Sequence, residues 1–195
     1  MTDDIVLLDE AGHAVGAAPK RASHHADTPL HLAFSCYLVD ARGRVLLTRR
    51  AAGKTFAGVL TNSCCGHPRP GEPLADAVRR RVGEELGLTA EAVELVLPDF
   101  RYRAEQDGVV ENEYCPVFRA RADGPARPDP TEVSHTAWLP WPEVVAAAAR
   151  PEASPWFRAQ MARLVPLGDP ARWPAGDPAA LPPAARHLPA APTST

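Results

Sequence analysis

Residues 73–86 carry the pattern that most constrains this chain. Leu74, Val78, Val82 and Leu86 recur at helical spacing. Wound at about 100° per residue, they fall on an apolar stripe about 120° wide. Pro73 suits the first helical position and Gly87 the C-terminal stop, so a helix over 73–86 is expected. Glu85 lands inside the stripe, about 20° from Leu74. A carboxylate on a core-facing stripe is costly unless it is paired or metal-bound. Arg81 lies at the edge of the stripe one turn earlier, where it can approach Glu85. Glu85 either bends out to water at the helix end or is aimed at a site over a sheet, and the second reading is favoured. Arg80 and Glu84 lie off the stripe and read as a solvated pair.

A second conflict sits in the run Val110-Glu-Asn-Glu-Tyr-Cys-Pro-Val-Phe118, which reads as a β-strand. Alternation puts Glu111 and Glu113 on one face, roughly 7 Å apart. Glutamate is a poor strand former, and like charges on one face repel. A cation between them removes the conflict. The chain also carries Cys-Gly-His-Pro at 65–68 and two histidines, His24 and His31, seven residues apart. Together these point to a metal-dependent enzyme whose carboxylates and thiol do proton chemistry.

The 195 residues suffice for one domain with a real core. A net charge of −3 implies no sequence-independent affinity for nucleic acid. The start, Met-Thr-Asp-Asp, lacks the basic flank of a signal peptide. No apolar run approaches the roughly 18 residues that cross a bilayer. A cytoplasmic protein with no membrane partner is expected. Cys36, Cys64, Cys65 and Cys115 form no Cys-x-x-Cys pair, so a zinc-ribbon or thioredoxin reading is weak. In a reducing compartment these are free thiols, with Cys36 and Cys115 read as packing residues. Lysine occurs only at Lys20 and Lys54. A compact ammonium is not interchangeable with a guanidinium at a tight phosphate site; the bland alternative is chance retention on the surface.

Strands are expected over 5–8 and 14–18 as one hairpin, and over 31–39 and 44–49 as another. Further strands are expected over 94–103 and 110–119, joined at 106–108, and over 133–139. Residues 20–28 and 50–58 read as loops, and two short helices are expected near 143–149 and 155–165. From Pro166 the composition shifts to Pro, Ala and Gly, which reads as a disordered tail over 166–195. The fold class expected for residues 1–165 is α/β, a mixed β-sheet sandwiched between helices. His13, His135 and His187 read as structural or solvated, Arg79 as part of a solvated helix face, and Trp138 and Trp141 as core or helix-start residues.

Gly66, Glu72, Arg80 and the run Arg81-Val-Gly-Glu-Glu-Leu-Gly-Leu88 stand at the offsets of a known signature. They resemble the Nudix box, G-x5-E-x7-R-E-U-x-E-E-x-G-U, except that Arg81 replaces the first helix glutamate. In Nudix hydrolases those glutamates hold magnesium against a diphosphate. Other segments narrow the resemblance: K-R-A-S-H-H-A-D-T-P-L-H from Lys20, T-N-S-C-C-G-H-P from Thr61, P-D-F-R-Y-R from Pro98, V-E-N-E-Y-C-P-V-F from Val110 and Ser154-Pro-Trp156. In this order they closely resemble type I isopentenyl diphosphate isomerase, a Nudix-fold family that isomerises rather than hydrolyses.

That resemblance implies divalent-metal ligands at His24, His31, His67, Glu111 and Glu113. It implies Mg²⁺ held with the substrate diphosphate by Glu85, and Mn²⁺ or another divalent ion at the His/Glu site. Cys65 and Glu113 match the acid/base pair, and Tyr102 matches the phenol that hydrogen-bonds the catalytic glutamate. Lys20, Arg50, Lys54 and Arg81 match diphosphate contacts, and Trp156 the aromatic near the hydrocarbon. The partner implied is a small-molecule diphosphate, bound by a monomer or homodimer.

The implied chemistry suits these groups. Moving a double bond along a five-carbon unit requires one carbon to gain a proton and another to lose one, which two acid/base groups on opposite faces do directly. An unactivated alkene passes through a tertiary carbocation, which Trp156 would stabilise by about 2 kcal/mol if desolvated. Binding at the diphosphate end can hold the alkene between acid and base. Two other readings stay open: a Nudix hydrolase acting on a nucleoside or isoprenoid diphosphate, and a non-catalytic metal-binding module with no need for Cys65.

Overall fold

The structure, a computed structural model, describes residues 4–23 and 25–186, without the side chains of Arg21 and Ala22. Two sheets organise it. The five-stranded sheet runs β2-β1-β3-β10-β9, from β1 (Asp4–Leu8), β2 (Ala14–Pro19), β3 (His31–Leu32), β9 (Arg101–Gln106) and β10 (Val109–Tyr114). The seven-stranded sheet runs β12-β5-β4-β11-β8, from β4 (Phe34–Val39), β5 (Val45–Arg50), β8 (Glu91–Leu97), β11 (Val117–Arg121) and β12 (Val133–Leu139). Two short strands, β6 (Leu60–Thr61) and β7 (Cys64–Gly66), pair with β5 and β4. Pairing is mixed: β3 with β10 and β4 with β11 are parallel, the rest antiparallel.

Three segments read as single strands, 31–39, 94–103 and 110–119, are each divided between the two sheets. Pro98 and Pro116 stand at two of the breaks, where a residue without an N–H cannot continue a ladder. At the third, Ala33 N donates to Tyr114 O (2.9 Å) and Ser35 N to Pro116 O (3.1 Å), so β4 and β11 leave the first sheet together.

Alternation along β4 feeds two cores. Phe34, Cys36 and Leu38 join one core with Leu74, Ala77, Val78, Val82 and Leu86 of helix α2 (Leu74–Leu86). Ala33, Tyr37 and Val39 join the other, with residues of α3 (Trp141–Ala148) and α4 (Pro155–Leu164). The seven-stranded sheet is thus sandwiched between helices, as expected, while the five-stranded sheet is an addition to a single-sheet reading. Pro73 caps α2 in extended backbone (ψ 136°) rather than opening its first turn, and Gly87 ends it left-handed (φ 61°). The stretch 20–28, read as a loop, begins with a short helix, α1 (Lys20–Ser23).

Residues 170–186, expected to be disordered, lie on the domain. Trp173 is 2% exposed and meets Tyr37 edge-on at 5.6 Å and Trp141 at 5.3 Å. Gly176 N donates to Leu95 O (2.8 Å), and Ala184 N, in α5 (Pro183–Arg186), to Gly12 O (3.0 Å). The low apolar content is offset by where the few large residues sit, and proline reduces the entropy that ordering costs. Residues 187–195, His187 included, lie outside the described residues. Among the described residues no helix is long and apolar enough to cross a membrane.

Candidate active site

Strand register assembles the first half of the site. His31 of β3 is paired with Glu113 of β10 on one side and Leu7 of β1 on the other, and Tyr102 of β9 stands directly opposite Glu113. His67 follows β7, which β4 carries in from the other sheet. The ligand atoms of His31, His67 and Glu113 all lie within 4.8 Å of one another. His31 Nε2 is 3.1 Å from His67 Nε2, and Glu113 Oε1 is 3.2 Å from His67 Nε2 and 3.5 Å from His31 Nε2.

The chemistry of this donor set fits a divalent cation. His31 Nδ1 lies 2.9 Å from the Pro29 carbonyl, which only accepts, so Nδ1 carries a hydrogen and Nε2 is the nitrogen turned toward His67 and Glu113. Burial drives the His67 pKa down to about 3, against the raising influence of Glu113, so that ring is neutral at pH 7. Burial opposes ionisation of Glu113, but hydrogen bonds to His31 and His67 outweigh it and hold the carboxyl well below the usual range. Two imidazole nitrogens and a carboxylate oxygen thus crowd one point. Glu111 points to the same cavity, where its Oε1 accepts from Thr55 Oγ1 at 3.0 Å. His24 lies outside the described residues; the His25 carbonyl accepts from Val110 N of β10 at 3.1 Å.

The thiol approaches from the other sheet. Alternation in β7 turns Cys65 into the cavity and Cys64 toward α2, where its Sγ lies 3.5 Å from Glu85 Oε2. Cys65 Sγ is 3.1 Å from Asn62 Oδ1, which also accepts from Trp156 Nε1 at 3.2 Å. Burial, with a contribution from the Glu113 charge, pushes the Cys65 thiol up to about 11, so it is protonated at neutral pH. Trp156 is 2% exposed, 5.5 Å from the Tyr102 ring, with the Arg50 guanidinium 5.7 Å from its own ring centre. Among the described residues no hydrogen bond joins the Tyr102 hydroxyl to Glu113, whose Oε1 faces the two imidazoles instead.

Cys65, His67, Tyr102, Glu111, Glu113 and Trp156 line a cavity of about 760 Å³ together with the charged side chains of Lys20, Arg50, Lys54, Arg81, Glu85 and Glu132. Arg81 pairs with Glu85, as the helix stripe suggested, and also with Glu84 at 2.8 Å and Glu132 at 3.3 Å. Glu85 is 7% exposed, and burial raises its pKa despite Arg81. Lys54 Nζ reaches Glu132 at 2.5 Å. Arg80 is not simply a solvated partner of Glu84, 3.3 Å away. Its guanidinium makes two 2.7 Å bonds to Glu72 and one of 3.1 Å to the His67 carbonyl, tying the loop before α2 to the helix. Gly66 is required there, because a Cβ would meet the Arg81 Cγ at 2.9 Å and the Phe34 ring at 3.1 Å.

Sequence reasoning missed Glu132 and Asn62. Glu132 arrives because the loop before β12 docks on the end of α2, where Arg127 N and Asp129 N donate to the Leu86 and Glu85 carbonyls (2.7 and 2.9 Å). Its acidic, turn-forming segment Asp129-Pro-Thr-Glu132 gave no signal beyond a loop.

Residues 29–160 match the NUDIX domain model. An isopentenyl-diphosphate Delta-isomerase of Saccharopolyspora erythraea is 54% identical over 190 residues, covering 94% of this chain and 97% of that protein. One of Mycolicibacterium vanbaalenii is 60% identical over 168 residues, covering 85% of this chain and 91% of that protein. The crystal structure of DR0079 from Deinococcus radiodurans shares the fold, with a TM-score of 0.62 at 20% identity over 83% of this chain and 98% of that one. The helix with its carboxylate, the preceding loop and the length of the match place the chain in the NUDIX domain family and, within it, among the isopentenyl-diphosphate Delta-isomerases.

Proposed function

We propose that the protein converts isopentenyl diphosphate to dimethylallyl diphosphate, with Cys65 and Glu113 as the acid/base pair. The observation that carries this is one cavity in which a protonated thiol from one sheet and an ionised carboxylate from the other line the space between them. The terminal methylene carbon gains a proton and the carbon two bonds away loses one, so one group delivers and the other removes, on opposite faces of a flat alkene. Trp156, its N–H held by Asn62, presents its ring to the developing cation and closes out water. Tyr102, opposite Glu113, walls the same face.

Lys20, Arg50, Lys54 and Arg81 are the cations for the diphosphate, and Glu85 the carboxylate for its magnesium. His31, His67 and Glu113, with Glu111 and His24, would hold a second divalent ion such as Mn²⁺; when bound, such an ion fixes the Glu113 carboxylate and lowers its basicity.

Incubation with isopentenyl diphosphate and magnesium in heavy water tests the reading. Deuterated dimethylallyl diphosphate supports it, whereas released phosphate indicates a hydrolase. Cys65→Ala is expected to abolish turnover with metal content, measured by elemental analysis, near normal. Substantial turnover in that variant would remove the thiol from the mechanism.

A further inference from the structure

We infer that Ser35 is a positioning residue for the Cys65 thiol, itself set by a buried chain of hydrogen bonds from Tyr37 through Gln160. The inference rests on the reading of Cys65 as an acid/base group. Tyr37, Gln160 and Ser35 are each 0% exposed. The Tyr37 hydroxyl donates to Gln160 Oε1 at 2.7 Å, and Gln160 Nε2 donates to Ser35 Oγ at 2.8 Å. The hydroxyl hydrogen of Ser35 is then left for a sulfur, and Cys65 Sγ lies 3.4 Å away, with Cys115 Sγ at 3.5 Å.

On its other side Cys65 meets an acceptor of fixed orientation. Asn62 Nδ2 donates to the Cys36 and Cys64 carbonyls (3.1 and 2.8 Å), and its Oδ1 takes the Trp156 N–H, which only donates. Asn62 Oδ1 therefore accepts the thiol hydrogen at 3.1 Å. The sulfur sits between an oxygen that accepts its hydrogen and a hydroxyl whose one free hydrogen is within reach of it and of Cys115, and the two together fix where the thiol points. When Cys65 gives that proton to a substrate carbon, the charge left on its sulfur draws the Ser35 hydroxyl hydrogen to it in preference to the neutral Cys115 thiol.

A fully buried glutamine is costly unless both ends of its amide are satisfied. Its neighbours in the same core from α4 are Trp156, Phe157, Met161 and Leu164, so an apolar side chain would fill this position. Gln160 instead bridges Tyr37 to Ser35, beside the thiol.

Steady-state kinetics on isopentenyl diphosphate, with pyrophosphate binding by calorimetry, test the inference on the full chain, using Ser35→Ala, Gln160→Met and, as reference, Cys65→Ala. Ser35→Ala is expected to lower kcat about ten- to a hundredfold, with KM and the pyrophosphate Kd within about twofold. Gln160→Met should shift kcat in the same direction by less. Should Ser35→Ala not fold, Gln160→Met carries the same split. A folded Ser35→Ala enzyme with kcat near wild type overturns the inference, and so does a fall in kcat matched by weaker pyrophosphate binding, which marks general damage. Turnover persisting in Cys65→Ala instead overturns the acid/base reading beneath it.

Discussion

Cys64 and Cys65 are covalent neighbours in opposite surroundings, separated by strand alternation alone. Cys64 is 2% exposed under α2, while Cys65 faces the cavity with its thiol near pKa 11. Its thiolate fraction at pH 7 is about 10⁻⁴, so alkylation by iodoacetamide should be slow. Of the four cysteines, peptide mapping should find Cys65 modified first, at a rate rising about tenfold per pH unit to about pH 10. Equal modification of Cys64 would mean that β7 is not seated on β4. His67 sets a second pH dependence. Its folded-state pKa, about 3, lies below the unfolded value of 6.5, so the unfolded chain takes up the proton first. Stability is therefore full above pH 6.5 and is lost as pH falls toward 3. Glu113, whose carboxyl is held low, acts in the same direction. Urea midpoints of metal-free protein should drop across that window, less steeply in His67→Gln. Residue identity and parity suffice to single out Glu85, Glu111 and Glu113 from the sequence. They cannot find Ser35, Gln160 or Glu132, whose ordinary side chains acquire meaning only from contacts distant in the chain, such as the 125 residues between Ser35 and Gln160, nor Asn62, whose role needs Trp156, 94 residues on, as well as nearby Cys65.

At the scale of elements, the loop before α2 is held by Arg80, whose guanidinium spans Glu72 and the His67 carbonyl. Removing Glu72 leaves Arg80 only its longer pair with exposed Glu84, 3.3 Å away. Glu72→Ala should therefore destabilise by about 1–3 kcal/mol and, because the same loop carries His67, weaken divalent-ion affinity about tenfold. Urea unfolding and metal titration read the two effects separately, and unchanged affinity would show that His67 is positioned without the loop. The regular helix α2 was legible because its period is internal. The strand breaks were not, because hydrophobic alternation continues through 31–39 while the pairing partner changes at Ala33. Pro98 and Pro116 were visible signals of the other two breaks, yet which sheet each half joins is decided by long-range register. That register sets Glu113 beside His31.

Across the whole molecule, the segment 170–186 closes both cores. Leu181 and Ala185 join the core under α2, and Trp173 joins the core under α4. Composition suggested disorder because it averages over residues, while folding depends on where the few large ones land. Trp173 covers Tyr37, the residue that begins the hydrogen-bond chain to Ser35. Truncating a tryptophan so enclosed forfeits its buried area and leaves a cavity, so Trp173→Ala should cost about 3–5 kcal/mol, a fall in Tm of about 10 °C. Were the segment a loose appendage, the same substitution would be silent in thermal unfolding. A drop of that size, with pyrophosphate binding retained, would locate the loss in the core that holds Trp173 rather than among the cations of the cavity, Lys20, Arg50, Lys54 and Arg81, none of which belongs to that core.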